Sequence, residues 1–196
     1  MTTTRDRLLD EAEYLFARGG IAGVTTREIT EAAEQRNTSA ISYHFGSRDG
    51  LLLALLARRG GPVDDRRAEL RDRLEQHPPL AALVECLVEP YCDLLGSAPG
   101  RSYLRIVAQL RGRFAVWRVE SDAATTKGLA RILDEIEARP AVSAALRRER
   151  VVAMIMVMTA STAERARTLD EGLEPDLSHE DFVRNLVQMC SAMLVA

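Results

Sequence analysis

Apolar residues recur along this chain at helical spacing, with little of the alternation that marks a strand. Between residues 4 and 18, Leu8, Leu9, Ala12, Leu15 and Phe16 share one face, and Gly19-Gly20 follows where a helix would stop. Thr25 and Glu28 stand three apart as a capping box, so a second helix is expected from about Thr26, burying Ile29, Ala32 and Ala33. Polar Gln35-Arg36-Asn37 breaks the pattern, and Thr38 or Ser39 is placed to cap a short third helix that ends at His44 or Phe45. Ile41 and Phe45, four apart, share its inner face, which leaves Thr38, Ser39, Ser42 and Tyr43 for the outside. Gly46-Ser47 closes this helix and caps the next, which carries Leu51, Leu52, Ala54, Leu55 and Leu56.

Beyond Leu51 the segments lengthen. Helices are expected near residues 48–59, 63–76, 80–95, 101–113, 115–138, 142–168 and 179–195. The first two are either separate or one helix kinked at Gly60-Gly61-Pro62. Residues 151–160 read VVAMIMVMTA, apolar all round and so in need of cover on every side. Phe182, Leu186, Met189 and Met193 form a second stripe behind a Ser178 cap. Together with Met154 and Met158 this stripe is the candidate seam of a homodimer, two helices from each copy making a four-helix packing; an entirely internal core is the alternative. The pattern predicts an all-α fold, with a three-helix helix-turn-helix unit over residues 1–50 and a larger helical domain over residues 51–196 that carries the candidate dimer seam.

Charge narrows where nucleic acid would bind. The net charge is −3, so the chain as a whole does not attract DNA. Residues 1–60 hold eight Arg and eight acids, yet the stretch from Gln35 to Arg48 has Arg36, His44 and Arg48 and no acid. A DNA footprint belongs there. Cys86, Cys92 and Cys190 have no metal-ligand spacing and read as buried thiols in a reducing compartment, with redox sensing as the rival. His44, His77 and His179 are too scattered for a metal site, and no Gly-rich phosphate loop or nucleophile–base pair is visible, so neither a cofactor nor catalysis is expected. The N-terminus lacks a signal-peptide core and no long uncharged apolar run occurs, which points to a cytoplasmic protein.

The string Thr25-Thr26-Arg27-Glu28-Ile29, then Ala32-Ala33, then Ser39-Ala40-Ile41-Ser42-Tyr43-His44-Phe45-Gly46-Ser47-Arg48, resembles the DNA-binding domain of the tetracycline-repressor (TetR) family. The likeness covers roughly residues 4–58, and the rest matches in length and helical character. Glu34 stands where the family usually has Gly, the turn after it is about one residue longer, Ser42 replaces a frequent aromatic, and Arg48 replaces a frequent Lys. The resemblance implies a ligand-responsive transcription regulator, a homodimer released by a small molecule from a palindromic double-stranded operator; the alternative is a helical small-molecule or protein-interaction module without DNA binding.

On that plan Thr38, Ser39, Ala40 and Ser42 face base edges in the major groove. Thr26, Tyr43, His44 and Arg48 contact phosphates, and Arg36 and Asn37 reach either. The resemblance also implies an effector cavity among the middle helices, for which Tyr91, Tyr103, Gln109, Phe114, Trp117, Met154 and Met158 are the aromatic, polar and adaptable candidates, with Arg105 and Arg111 to orient a polar group. Gly60-Gly61-Pro62 is the place expected to absorb a ligand-driven motion.

Overall fold

The computed structural model describes residues 3–35, 37, 39–110, 126–139 and 141–195. Helix α1 (Thr4–Gly19) begins with a capping box the apolar pattern alone does not mark: the Asp6 amide donates to Thr3 Oγ1 at 3.1 Å and the Thr3 amide donates to Asp6 Oδ2 at 3.3 Å. Helix α2 (Thr26–Ala32) opens with the expected one, the Glu28 amide donating to Thr25 Oγ1 at 3.2 Å and the Thr25 amide to Glu28 Oε2 at 2.7 Å. The Thr3 hydroxyl and amide, both donating to Asp6, and the Thr25 amide and hydroxyl, both donating to Glu28, hold these two carboxyl groups below the usual carboxylate range.

Helix α2 ends in a Schellman turn. The Gln35 amide donates to the Thr30 carbonyl at 2.8 Å and the Glu34 amide to Glu31 at 3.0 Å. That closure requires a left-handed residue, and Glu34 supplies it at φ 56°, the one non-glycine residue with positive φ among those described. Helix α3 (Ala40–Phe45) is started by Asn37 and not by Ser39. The Asn37 side-chain oxygen accepts from the Ser39 amide at 2.9 Å and its carbonyl accepts from the Ala40 amide at 3.1 Å, while the Ser39 hydroxyl makes no cap bond.

After Gly46 and the Ser47 cap, α4 (Arg48–Arg73) runs as one helix through Gly60-Gly61-Pro62, where a break or a kink was allowed for. It persists because both halves are anchored: Leu51 and Leu55 in the core beside α1 and α3, and Val63, Asp64, Arg67 and Arg71 in the larger body. Gly60 also permits a close approach, since a Cβ there would lie 2.9 Å from the Tyr103 hydroxyl. Helix α5 (Leu80–Cys92) tightens into a 3-10 turn at Asp93–Gly96, followed by α6 (Ala98–Gln109), α7 (Lys127–Glu137), α8 (Ala144–Asp170) and α9 (His179–Val195). Of the helix expected over residues 115–138, the C-terminal part is α7 and the stretch 111–125 lies outside the described residues.

Helix α6 lies between α1 and α8, α4 packs on α5 and α7, and α9 closes over α5 and α8. Charge is used inside this packing. Glu13 of α1, 3% exposed, receives Arg58 at 2.9 Å and Arg59 at 2.8 Å from α4, Arg71 meets Glu135 of α7 at 2.8 Å, and Arg101 meets Asp170 of α8 at 2.5 Å. Buried Asp64 caps α7 from outside, accepting from the Gly128 amide at 2.8 Å and the Leu129 amide at 2.7 Å. The three cysteines are buried and unpaired; desolvation pushes Cys190 up to about 11 and Cys92 up to about 12, which makes them poor nucleophiles. Among the described residues no helix is long and apolar enough to cross a membrane.

The left-handed Glu34 generates a direct test. A β-carbon in this region costs about 1–2 kcal/mol, partly offset when glycine loosens the unfolded chain. Glu34→Gly is expected to raise stability by about 0.5–1 kcal/mol in urea unfolding, the exposed 3.7 Å pair with Arg7 contributing little. A lower midpoint would show that the Glu34 side chain holds the turn by another means.

Candidate functional site

Helices α2 and α3 present a polar outer surface. Thr26, Asn37, Ser39 and Ser42 are exposed, and Tyr43 shows 84% of its surface, the largest exposure of any bulky apolar side chain described. Its ring meets His44 edge-on at 4.9 Å, and half-buried His44 stands above Phe45 at 6.2 Å. Arg36 and Thr38 lie outside the described residues. Ala40, expected to touch bases, is 7% exposed and packs into the head's own core, because it opens α3 on the side facing α2 and α4.

Arg48 is also placed differently from its expected phosphate role. Its guanidinium turns back to donate to the carbonyl oxygens of Ile21 and, at 2.9 Å, Val24, and lies 5.1 Å over the Phe16 ring. The end of α1 and the turn after it leave carbonyls without helical partners, and Arg48 satisfies them. Arg5 takes its place as an available cation: it is exposed, 5.1 Å over the Phe45 ring at the end of α3, and has no ion-pair partner among the described residues. It precedes the basic stretch by about thirty residues within the same head, so only the folding of α1 against α3 brings it there. Arg27, exposed at the start of α2, is paired with Glu31 at 2.7 Å.

The larger body holds a partly open cavity of about 60 Å³ between α4, α5, α6, α7 and α8. Tyr91, Tyr103 and Met158, all candidates for ligand contact, line it; so do Arg67, Val107 and Ile155, which sequence reasoning did not single out. Tyr91 and Tyr103 meet edge-on with ring centres 6.5 Å apart, and burial raises the Tyr103 hydroxyl to about 12. Met154 is not in the wall. It packs under α9, and its carbonyl oxygen lies 3.9 Å from the Cys190 thiol. Arg105 is taken up by Asp170 at 3.2 Å, and Phe114, Trp117 and Arg111 lie outside the described residues.

Gln109, another ligand candidate, has both ends of its amide committed elsewhere. Its oxygen accepts from the Ile21 amide at 2.7 Å, and its nitrogen donates to the Phe16 carbonyl at 3.0 Å. It therefore ties the last turn of α6 to the end of α1, and it stands outside the cavity wall. No periodicity marks such a contact between residues 88 apart in the chain.

The candidate dimer residues divide into two groups. Leu186, Met154 and Met158 are 0%, 1% and 4% exposed and belong to the protomer's own core, because α9 turns Leu186 and Cys190 inward between α5 and α8. Met189 is exposed and Phe182 and Met193 are half-buried, with Arg165 stacked 4.5 Å over the Phe182 ring.

Known proteins share this arrangement. The family model described as bacterial regulatory proteins, tetR family, matches residues 8–55, and that described as the tetracyclin repressor-like C-terminal domain matches residues 85–193. Over 54 residues the chain is 39% identical to the HTH-type transcriptional repressor AcnR of Corynebacterium glutamicum, and over 55 residues 34% identical to the probable HTH-type transcriptional regulator YttP of Bacillus subtilis. These matches span 28% and 26% of those two proteins. A putative tetR family transcription regulator from Shewanella sp. PV-4 superposes with a TM-score of 0.64 over 97% of each chain at 15% identity. AmtR of Mycobacterium smegmatis superposes with a TM-score of 0.59 over 96% of this chain and 86% of its own at 20% identity, so both neighbours bear on the fold. With one model covering the head and the other more than half of the chain, this protein belongs to the TetR family of bacterial regulatory proteins.

Proposed function

We propose that this protein is a transcription regulator that binds a palindromic operator as a homodimer through α2 and α3 and releases it when a small molecule occupies the cavity beside α6. The observation that carries the DNA reading is Tyr43, 84% exposed beside exposed Ser39 and Ser42 in a stretch without acids. An aromatic so placed is poor for a free surface and suited to a phosphate or sugar. Ser39, Ser42 and Asn37 read base edges, and Thr26, Tyr43, His44 and Arg5 hold the backbone. Selection of genomic fragments by the full chain at moderate salt is expected to return an inverted repeat with half-sites about 34–36 Å apart. Recovery of no shared motif overturns the reading, and Arg5→Ala should reduce the salt dependence by about one phosphate.

The dimer forms on the outer side of the last two helices, around Met189, Phe182 and Met193. Met189→Glu is expected to give monomers in sedimentation with the helical signal intact, whereas Leu186→Glu, aimed into the protomer core, unfolds the chain. A Met189→Glu protein that stays dimeric moves the interface elsewhere.

Communication runs through Gln109. Val107 and Leu110 border the cavity, so a molecule that displaces the end of α6 moves the turn at Ile21 and tilts the head. By linkage, a ligand favouring the tilted state lowers operator affinity, and operator lowers ligand affinity by the same factor. Gln109→Ala is expected to speed hydrogen exchange at the Ile21 amide by roughly one to two orders of magnitude, two lost hydrogen bonds being worth about 1–3 kcal/mol locally. Unchanged exchange would show that the tie is not what holds the turn.

A further inference from the structure

Arg67 projects from the middle of α4 into the cavity with 7% of its surface exposed. An isolated cation at that depth is costly, and buried arginines ordinarily have a carboxylate against them. Buried Arg71 does, and so do half-buried Arg101 and Arg105. Arg67 does not: among the described residues no carboxylate lies within ion-pair distance of it. Its polar contacts are one carbonyl oxygen, that of Leu87, at 3.4 Å from Nε and 3.2 Å from Nη2, and the Tyr91 ring, whose centre is 5.8 Å away. Nη1 has no acceptor among the described residues. Asp64, one turn earlier on α4, directs its two oxygens to the amides of Gly128 and Leu129. Desolvation is the largest influence on the Arg67 guanidinium and pulls it below the ordinary arginine range.

A second group in the same wall is also unsatisfied. The Tyr91 hydroxyl is buried and has no hydrogen-bond partner among the described residues. The Thr162 hydroxyl lies near it but outside hydrogen-bond geometry, and donates to the carbonyls of Met158 and Thr159. Tyr103 brings a second hydroxyl to the wall on the side of Gly60; the other lining groups are apolar or self-satisfied, the Thr159 hydroxyl donating to Ile155 within its own helix at 2.8 Å. An unpaired guanidinium edge and an idle hydroxyl thus stand at one end of a mostly apolar cavity.

We propose that the cavity takes an aliphatic monocarboxylate. Its two oxygens pair with the Arg67 guanidinium, one also accepts from the Tyr91 hydroxyl, and its chain lies against Val107, Leu129, Ile155 and Met156. The charge balance selects the class: one guanidinium neutralises one carboxylate, whereas a phosphate monoester dianion leaves a negative charge in an apolar wall. Met156 and Val152 are exposed at 47% and 38% beside the cavity, so a chain longer than the cavity has an apolar surface to follow outward. This inference rests on the reading of the cavity as the effector site.

Calorimetric titration of the full chain with butyrate, hexanoate and octanoate, beside the alcohols of equal length and octyl phosphate, tests it. Hexanoate or octanoate is expected to bind at least about tenfold more tightly than its alcohol and than octyl phosphate, the effect of a charge-assisted hydrogen bond. Arg67→Leu should abolish the preference, Tyr91→Phe should weaken carboxylate binding several-fold, and circular dichroism checks that both fold. Should Arg67→Leu fail to fold, the comparison of carboxylate with alcohol on the unaltered chain decides. Equal binding of alcohol and acid, tighter binding of the phosphate, or no binding by any carboxylate overturns the proposal. The same ligands added to operator-bound protein separate the two readings: octanol releasing DNA where octanoate does not retains effector control and removes the anion, while octanoate that binds at Arg67 without altering DNA affinity retains the anion and removes effector control.

Discussion

The turn between α1 and α2 must satisfy backbone groups that the end of α1 leaves open, and two side chains from outside the turn meet that demand. Gln109 accepts from the Ile21 amide and donates to the Phe16 carbonyl, and Arg48 donates to the carbonyls of Ile21 and Val24. One comes from α6 in the larger body, the other from the first turn of α4. The orientation of α2, and of α3 packed on it, follows from where these two donors and acceptors stand. A head held by ordinary apolar packing would slide in small steps, whereas amide hydrogen bonds are made or lost over a fraction of an ångström.

Helix α4 gives the same constraint a second form. It carries Arg48 at its start, the Glu13 partners Arg58 and Arg59 beside α1, and Asp64, Arg67 and Arg71 within the body. Its continuity through Gly60-Gly61-Pro62 removes the break that the sequence allowed for, so head and body share one helix. Gly60 serves packing instead, letting the Tyr103 hydroxyl approach the helix where it borders the cavity.

Polar groups in the interior are of two kinds. Glu13, Glu135 and Asp170 meet arginines, and Asp64 meets the amides at the start of α7, so each of these serves the fold. Arg67 and Tyr91 meet too little within the protein to account for their burial. That contrast separates the structural charges from the pair left facing the cavity.

Local rules account for what the sequence by itself determined. The helical class, the Thr25–Glu28 box, the Gly46-Ser47 junction and the inward Ile41 depend on neighbours a few residues away, and periodicity and capping report such neighbours. The exposed Ser39, Ser42 and Tyr43 were legible for the same reason, since a helix of one turn and a half has only one side to bury. Tertiary structure alone decided the rest. Arg48 became a tie, Gln109 left the ligand candidates, Leu186 turned inward, and Arg67 came to the cavity without a counter-ion, each through partners about twenty to ninety residues distant. A side chain's chemistry is written at its own position, but whether its charge or amide is already satisfied depends on groups that only folding brings within 3 Å or so of it.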